Sequence, residues 1–439
     1  MTASNTTDRL ALLGGTPVRE RKEPAYPTFT ERARQRVDEL LAVGHAMALS
    51  KHDPVVDEAE RAIAQWQGMS HCLTTSSGHA ALQAALIGLE VTSGDEVIVS
   101  PYTWGASVSC ILHNNAIPMF ADVDPSTGLL DPADVEERIG PNTRAILVPH
   151  IYGQPANMTA LRAIADRHDL VIVEDGSQAH GARHAGRLVG TFGDASGFSC
   201  MGAKLLATTE AGYLVTNRPD VYHKAVLAGQ HAGMAGGHGR ATEPGFPPEL
   251  LPFSDSLIYN HRISSVAAVL LVEQLAKLET ENAGRRANLA RLREGLSEIS
   301  SVSFPRYPAE DVVAPYMVTM NFDAAAAGIA KETFISALQA EGVPAIAYTK
   351  TPLHRLERLK PDTRAPRLMW TENLKRAGVD YASLELPGTE AKVAASIELS
   401  WNYVTEDPAA VDELVEGFGK VHDHLDDLRE HERRGGIES

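Results

Sequence analysis

The sequence has little cysteine. Among its 439 residues there are three, Cys72, Cys110 and Cys200. They are far apart, odd in number and not spaced as C-x-x-C, so neither a disulfide framework nor a metal site is predicted. This usage fits a reducing compartment, and we expect the protein to be cytoplasmic.

Long apolar runs and an excess of basic residues are lacking as well. No run of about 18 apolar residues occurs, so no transmembrane helix is expected. The first nine residues contain no apolar core, so we expect no secretory signal there. The formal net charge of −17 argues against a nucleic-acid surface. The Gly-Lys-Ser/Thr tripeptide of a P-loop does not follow the glycine-containing turn at Gly78, which disfavours a nucleoside triphosphate site.

Short apolar runs alternate with helical patterns from about residue 72 to residue 215. The apolar runs predict strands at Glu96–Ser100, Ile117–Ala121, Ala145–Pro149 and Leu170–Glu174. The intervening patterns predict helices at Ala80–Leu89, Ala106–Asn114, Pro132–Ile139 and Thr159–His168. This alternation predicts a three-layer α/β/α unit built around a mostly parallel sheet.

The length of the chain favours two domains. We predict an N-terminal arm and helix over residues 1–50, a large domain over 51–282 and a smaller α+β domain over 283–439. Ile263–Glu279 reads as one helix near the boundary, and Pro408–Leu428 as one long amphipathic helix. The segment Gly229–Pro252 breaks the pattern, and a loop of that length is usually functional.

Three groups in the large domain carry chemistry. Asp175 ends an apolar strand, and the carboxyl ends of parallel strands are where such sheets bind ligands. Ser77–His79 opens a helix, where unpaired backbone N–H groups attract phosphate. Lys204 lies among small apolar residues, where desolvation favours a neutral, nucleophilic amine. Each group alone could be a helix cap or a surface side chain. Together they are what a pyridoxal phosphate enzyme needs: a Schiff-base amine, an acid for the pyridine nitrogen and a phosphate cradle.

Two further residues extend this set. Trp104 follows a predicted strand, so its indole could stack on a pyridine ring, although a partly buried loop aromatic is an equal alternative. Ser199, five residues before the lysine, could add a phosphate donor.

The order and spacing of these groups resemble the DegT/StrS sugar aminotransferases of the fold type I pyridoxal phosphate class, which have the aspartate-aminotransferase-like fold. The resemblance runs from about Leu12 to about Val421 and makes 51–282 the cofactor-binding domain. The matching motifs are Gly78–Leu82 for the phosphate turn, Thr103–Trp104 for the stacking aromatic, Glu174–Ala182 for the pyridine acid, and Ser199 with Lys204–Gly212 for the Schiff-base segment. Three positions depart from the family's pattern: His79 replaces Thr or Ser, Cys200–Ala203 replaces aromatic and polar residues, and Glu210–Gly212 replaces Gly-Glu-Gly.

The resemblance also implies roles for residues outside these motifs. Gln178 would bind the ring hydroxyl of the cofactor. Asn260, in an Asn-x-Arg segment, would reach the cofactor phosphate of a partner subunit, which implies a homodimer with shared active sites. Substrate contacts are expected from the loop 229–252, the segment 348–354 and four side chains: His150, Tyr152, Tyr348 and His354.

The function that follows is an aminotransferase that moves an amino group from L-glutamine or L-glutamate to a keto-cyclitol or keto-sugar in antibiotic or other secondary metabolism. Relatives that dehydrate sugars carry histidine at the position of Lys204, so lysine favours amino transfer. Three alternatives stay open: a dehydrating or aromatising enzyme of the aminobenzoate-synthase type, an aminotransferase for a nucleotide-linked keto-sugar, and a non-enzymatic regulator or scaffold.

Overall fold

A computed structural model describes residues 9–43, 53–230, 245–254, 259–360 and 370–435. Its strands are β1 His71–Thr75, β2 Glu96–Val99, β3 Ile117–Phe120, β4 Thr143–Pro149, β5 Val171–Asp175, β6 Arg183–His184, β7 Arg187–Leu188, β8 Ala195–Ser199, β9 Gly212–Thr216, β10 Val302–Ser303, β11 Met317–Phe322, β12 Ala345–Ile346 and β13 Ser396–Ser400. The four strands predicted in the alternating region are all present.

The helices fall between and after these strands. They are α1 Glu31–Val43, α2 Pro54–Gln67, α3 Gly78–Gly88, α4 Ala106–His113, α5 Pro132–Glu137, α6 Met158–Arg167, α7 Pro219–Gly229, α8 Ser265–Leu275, α9 Leu278–Gly295, α10 Ala324–Ala327, α11 Lys331–Ala340, α12 Thr371–Ala377, α13 Pro387–Ala395, α14 Pro408–Asp423 and α15 Leu425–Arg433. Within the described residues, no helix is both long enough and apolar enough to span a bilayer.

The larger sheet has seven strands in the order β1-β9-β8-β5-β4-β2-β3. The five strands from β8 to β3 are parallel, and β9 runs antiparallel to both of its neighbours. Parallel order is expected here because the helices α3 to α6 supply the crossovers that parallel strands require. The predicted mostly parallel sheet is therefore confirmed.

Side chains along the central strands alternate between two cores. Val97 and Val99 of β2 pack with α3 and α4, whereas Ile98 between them packs with α6. The same alternation places Val173 of β5 in the first core and Ile172 in the second. Because both faces of the sheet are covered, the unit has the predicted three layers.

The second, smaller sheet has four antiparallel strands in the order β10-β11-β13-β12. Its core contains residues of α9, α11 and α14 together with Leu10 from the N-terminal arm. This is the predicted smaller α+β unit. The boundary near residue 282 stays a prediction, and it falls inside α9.

Two helix predictions were wrong in detail. The span 263–279 is broken between α8 and α9, next to Lys277, whose Nζ donates to the carbonyl of Thr28 at 2.6 Å. The span 408–428 is broken at His424, which leaves the helical region with φ −109° and ψ 24°. Neither break carries a glycine or proline, so no local signal marks it.

Candidate active site

The helix start at Ser77–His79 forms one wall of a cavity of about 370 Å³ at the carboxyl ends of the parallel strands. Ser77 caps α3, and its Oγ accepts the Ala80 N–H at 3.2 Å. The N–H groups of the first turn have no partner inside a helix, so those of Gly78 and His79 can bind an anion. A Cβ on Gly78 would lie 2.5 Å from that of Ser199. Glycine is therefore required for the helix start to approach the end of β8 so closely.

Asp175 lies at the carboxyl end of β5, in the floor of the same cavity. Its Oδ2 accepts the hydroxyl of Ser107 at 2.6 Å, and its Oδ1 accepts the N–H of Ser177 at 3.1 Å. The side chain is 7% exposed. Two donors fix the orientation of a carboxylate that water scarcely reaches, as the partner of a protonated ring nitrogen requires.

Lys204 follows a tight turn after β8, and its backbone N–H donates to the carbonyl of Met201 at 2.8 Å. Burial lowers the pKa of Lys204 to about 8, although the nearby carboxylate of Asp175 opposes this shift. The amine lies 4.5 Å from the centre of the Tyr316 ring. Tyr26 of the N-terminal arm donates its hydroxyl to the Lys204 carbonyl at 2.6 Å. The chain thus holds a lysine amine that is partly neutral near physiological pH.

The lowered pKa of Lys204 makes a prediction for the protein without cofactor. Because the neutral amine is the nucleophile, acylation of Lys204 should rise with pH to a half-maximal rate near pH 8. An ordinary lysine would reach that point only at about pH 10.4. Pulsed acylation followed by peptide mass spectrometry measures the rate at this residue alone. A midpoint above about pH 10 would contradict the desolvated environment described here.

Glu174 and His150 stiffen the strand ends beneath the cavity. The His150 Nε2 lies 3.1 Å from Glu174, and its Nδ1 accepts the N–H of Ala156 at 3.0 Å. Burial alone would raise the pKa of Glu174, but His150 and the backbone N–H groups of Gly190 and Gly193 lower it. Since both ring nitrogens of His150 are engaged, the residue lines the cavity with its ring and has no nitrogen left for a substrate.

Gln178, Trp104 and Tyr348 form the upper wall. The Gln178 Oε1 accepts the N–H of Tyr152 at 2.7 Å, and its amide also donates to the Tyr348 phenol. One amide N–H is then left for a hydroxyl or phenolate acceptor. The Trp104 and Tyr348 rings lie 6.3 Å apart, and Trp104 is 60% exposed. Burial raises the pKa of Tyr348, so its phenol stays protonated. Two aromatic faces therefore border the entrance to the cavity.

The structure brings most of the predicted site residues together. The cavity is lined by Ser77, Gly78, His79, Trp104, His150, Asp175, Gln178, Ser199, Lys204 and Tyr348. Three predicted residues are not part of its lining. Tyr152 is buried, with its hydroxyl 3.0 Å from that of Tyr102, and His354 is buried 6.0 Å from Phe120. Asn260 is exposed on this chain.

Of the loop predicted to contact substrate, residues 231–244 lie outside the described part of the chain. The other predicted segment borders a neighbouring cavity of about 540 Å³, which shares Trp104 and Tyr348 with the first. Thr349, Lys350 and Thr351 are part of its lining. Segment 348–354 therefore lies beside the lysine-containing cavity and enters it only through Tyr348.

Sequence reasoning missed two residues of the site. Ser107 holds Asp175, and Tyr316 covers the amine of Lys204. Ser107 lies three residues after Trp104 at the start of α4, so its place near the strand ends could have been inferred. Tyr316 comes from the segment before β11 in the smaller unit, and no local pattern connects it with Lys204.

The donor set fits pyridoxal phosphate. The cradle at Gly78 offers N–H groups to a phosphate, and a side chain there would collide with Ser199, which also lines the cavity. The His79 Nε2 is buried at this wall and has no hydrogen-bond partner within the described residues. Lys204 supplies an amine of lowered pKa, and Asp175 supplies an oriented carboxylate in the same cavity. The residues present are therefore those that a phosphate, an aldehyde and a pyridine nitrogen require.

Comparisons with known proteins agree with this chemistry. The family described as DegT/DnrJ/EryC1/StrS aminotransferase family matches residues 28–388. The L-glutamine:2-deoxy-scyllo-inosose aminotransferase of Streptoalloteichus tenebrarius is 35% identical over 96% of this chain and 99% of its own length. A second protein of that organism, provisionally named L-glutamine:3-amino-2,3-dideoxy-scyllo-inosose aminotransferase, is 33% identical over 96% of this chain and 100% of its own. The crystal structure of DesI with its TDP-sugar product superposes with a TM-score of 0.78 at 26% identity, covering 97% of this chain and 98% of DesI.

Proposed function

The chain belongs to the DegT/DnrJ/EryC1/StrS aminotransferase family, and on that premise we propose that it transfers the amino group of L-glutamine to a keto-cyclitol. It is a pyridoxal phosphate-dependent aminotransferase. We propose that it acts in antibiotic biosynthesis. The observation that carries the assignment is the single cavity in which Lys204, Asp175 and the phosphate cradle meet.

The cofactor would be held at three points. Ser77, Gly78, His79 and Ser199 would bind its phosphate, and Asp175 its ring nitrogen. Gln178 would bind its ring hydroxyl, and Trp104 would stack on its ring. When bound, the cofactor supplies an aldehyde that captures amines and a ring that takes up the electron pair released at the α-carbon.

The side chains of the protein then move the protons. Lys204 would act as general base and acid: its free Nζ would take the proton from the donor α-carbon and would deliver it to the carbon derived from the cofactor aldehyde, so that the nitrogen stays behind when the keto acid leaves. Its lowered pKa lets the amine accept and release that proton near pH 8. Asp175 keeps the ring nitrogen protonated because Ser107 and Ser177 hold its carboxylate in place. Tyr316 packs over the amine, and Lys204 is only 6% exposed, so little water reaches it.

Support for a keto-cyclitol acceptor comes from the relatives and from the cavity. The curated relatives at 33–35% identity named above are L-glutamine aminotransferases for inososes. Among the described residues that line the cavity, Lys204 is the one lysine or arginine, and the cations Lys350 and Arg358 line only the neighbouring cavity, so a diphosphate would find no dedicated cation within the lysine-containing cavity itself. A neutral polyol can instead pack on the Trp104 and Tyr348 rings and hydrogen-bond at the rim.

The assembly we propose is a homodimer. Asn260 is exposed and lies outside the cavity of its own chain. Two large apolar side chains that precede it in sequence are exposed, Phe253 by 67% and Tyr259 by 50%. An exposed apolar surface next to a residue expected at a cofactor is what an obligate interface would bury. Sedimentation should then give twice the chain mass of 47.2 kDa. We also propose a cytoplasmic location, supported by three buried cysteines that form no disulfide.

A panel of acceptors tests the function. The enzyme with pyridoxal phosphate and L-[α-¹⁵N]glutamine is offered scyllo-inosose, 2-deoxy-scyllo-inosose, a nucleotide-linked keto-sugar and an amino-dehydro acid. We expect the label in the aminated cyclitol. Amination of the nucleotide-linked sugar alone would indicate an aminotransferase for nucleotide-linked keto-sugars. An aromatic product without label transfer would indicate an enzyme of the aminobenzoate-synthase type. Lack of every product, with no spectral change on adding glutamine, would contradict aminotransferase activity.

A further inference from the structure

The rim of the cavity carries a carboxylate that none of these steps uses. Asp175 is held by Ser107 and Ser177, whereas Glu210 lines the cavity and is exposed. Within the described part of the chain, Glu210 makes no hydrogen bond and no ion pair. An uncompensated carboxylate at the mouth of a site for small molecules is available to a ligand.

Glu210 lies toward the amine end of the cavity. Its negative charge acts on Lys204, where it raises the pKa against the larger lowering by burial. Glu210 lines the same cavity as the cradle, and its charge acts on the amine of Lys204, where the nitrogen is transferred.

The position of Glu210 is also a departure of this chain. The DegT/StrS resemblance expects glycine here, so the rim of the cavity would lack a side chain at this point. The turn that carries Glu210 is fixed by its neighbours: the Cys200 N–H donates to the Ala211 carbonyl at 2.8 Å, and the Gly202 N–H to that of Thr209 at 3.2 Å. A charged group on such a turn can discriminate among ligands because its backbone does not have to be ordered on binding.

We propose that Glu210 determines acceptor specificity by binding the ammonium group of a keto-cyclitol that already carries one amine. This inference rests on the proposed function and narrows its substrate class. A carboxylate and an ammonium form a charge-assisted hydrogen bond, which is roughly twice as strong as one to a neutral hydroxyl. The ring faces would pack on Trp104 and Tyr348, and the ketone would face Lys204. The enzyme then prefers an amino-keto-cyclitol to the same ring with a hydroxyl in place of the amine.

Two rings that differ in one substituent provide the test: 3-amino-2,3-dideoxy-scyllo-inosose and 2-deoxy-scyllo-inosose. The ratio of their kcat/KM values is measured with cofactor-loaded wild type, Glu210→Gln, Glu210→Asp and Glu310→Gln. We expect wild type to favour the amino ring, and Glu210→Gln to lower the ratio by roughly tenfold or more. Glu210→Asp should keep part of the preference. Glu310 is exposed and outside the cavity, so Glu310→Gln makes the same charge change and should leave the ratio within about twofold.

The outcomes separate this inference from the proposed function. If wild type aminates both rings but Glu210→Gln lowers both kcat/KM values equally, the specificity role is wrong and the function stands. A wild-type preference for the unaminated ring would likewise refute the specificity role and leave the proposed function standing. If wild type aminates neither ring although glutamine is consumed, the keto-cyclitol function fails and the inference with it. Calorimetric binding of the amino ring to Lys204→Ala, with and without Glu210→Gln, adds a readout that does not depend on turnover.

Discussion

Lys204→Ala is expected to abolish amino transfer, with a loss in kcat of at least ~10³-fold. The substitution removes both the amine that captures the cofactor and the base that moves the proton at the donor α-carbon. The turn that carries it should survive, since it is held by backbone contacts at Met201 and by the hydroxyl of Tyr26. Steady-state rates and the visible absorption of the reconstituted protein measure the two losses together.

A lysine outside the site supplies the control for this result. Lys375 of α12 is exposed, so Lys375→Ala should retain the wild-type rate and absorption. Methylamine, which can enter a cavity of about 370 Å³, should restore a small part of the rate to Lys204→Ala and nothing to wild type. A Lys204→Ala protein with more than about a tenth of the wild-type rate would contradict the role of this amine.

Asp175→Asn is expected to lower kcat by about 10²-fold or more, the usual cost of removing one preorganised electrostatic group. The amide has the same shape as the carboxylate and keeps a carbonyl oxygen for the Ser107 hydroxyl or the Ser177 N–H. What it lacks is the negative charge that keeps the ring nitrogen protonated. The loss should therefore appear mainly in kcat, with the Tm of the cofactor-free protein little changed.

Ser107→Ala separates charge from orientation. It removes one donor at 2.6 Å and leaves the carboxylate charged, so we expect a loss of about tenfold, smaller than that of Asp175→Asn. Rates of each half-reaction, followed by stopped-flow absorption, measure both variants. If Asp175→Asn stays within about threefold of wild type, this carboxylate is not the partner of the ring nitrogen.

What the sequence predicts well is local. Asp175 and Ser77 are each placed by a single strand or helix boundary, and the alternation of apolar runs places those boundaries at one edge of a sheet. Lys204 lies on a turn of small residues at the same edge of the sheet. The cavity therefore follows from patterns that each span fewer than about ten residues.

What the sequence does not predict is tertiary. Tyr316 reaches Lys204 from the smaller unit, and Tyr26 reaches it from the N-terminal arm. The side chains of Tyr152 and His354 were expected to contact substrate, yet in the structure both are buried and neither is part of the cavity lining. A residue can be next to a site residue in sequence and still point its side chain away from the site. The position of the backbone in a loop does not decide which way a side chain points.

Borohydride reduction shows directly whether Lys204 is the residue that binds the cofactor. The cofactor-loaded protein is reduced, digested and analysed by peptide mass spectrometry, which locates any bond between the pyridoxyl group and a lysine. We predict the pyridoxyl mass on the peptide that contains Lys204, and its loss in Lys204→Ala. The same mass on a different lysine, or no modified peptide from wild type, would contradict the assignment of Lys204 as the cofactor-binding residue.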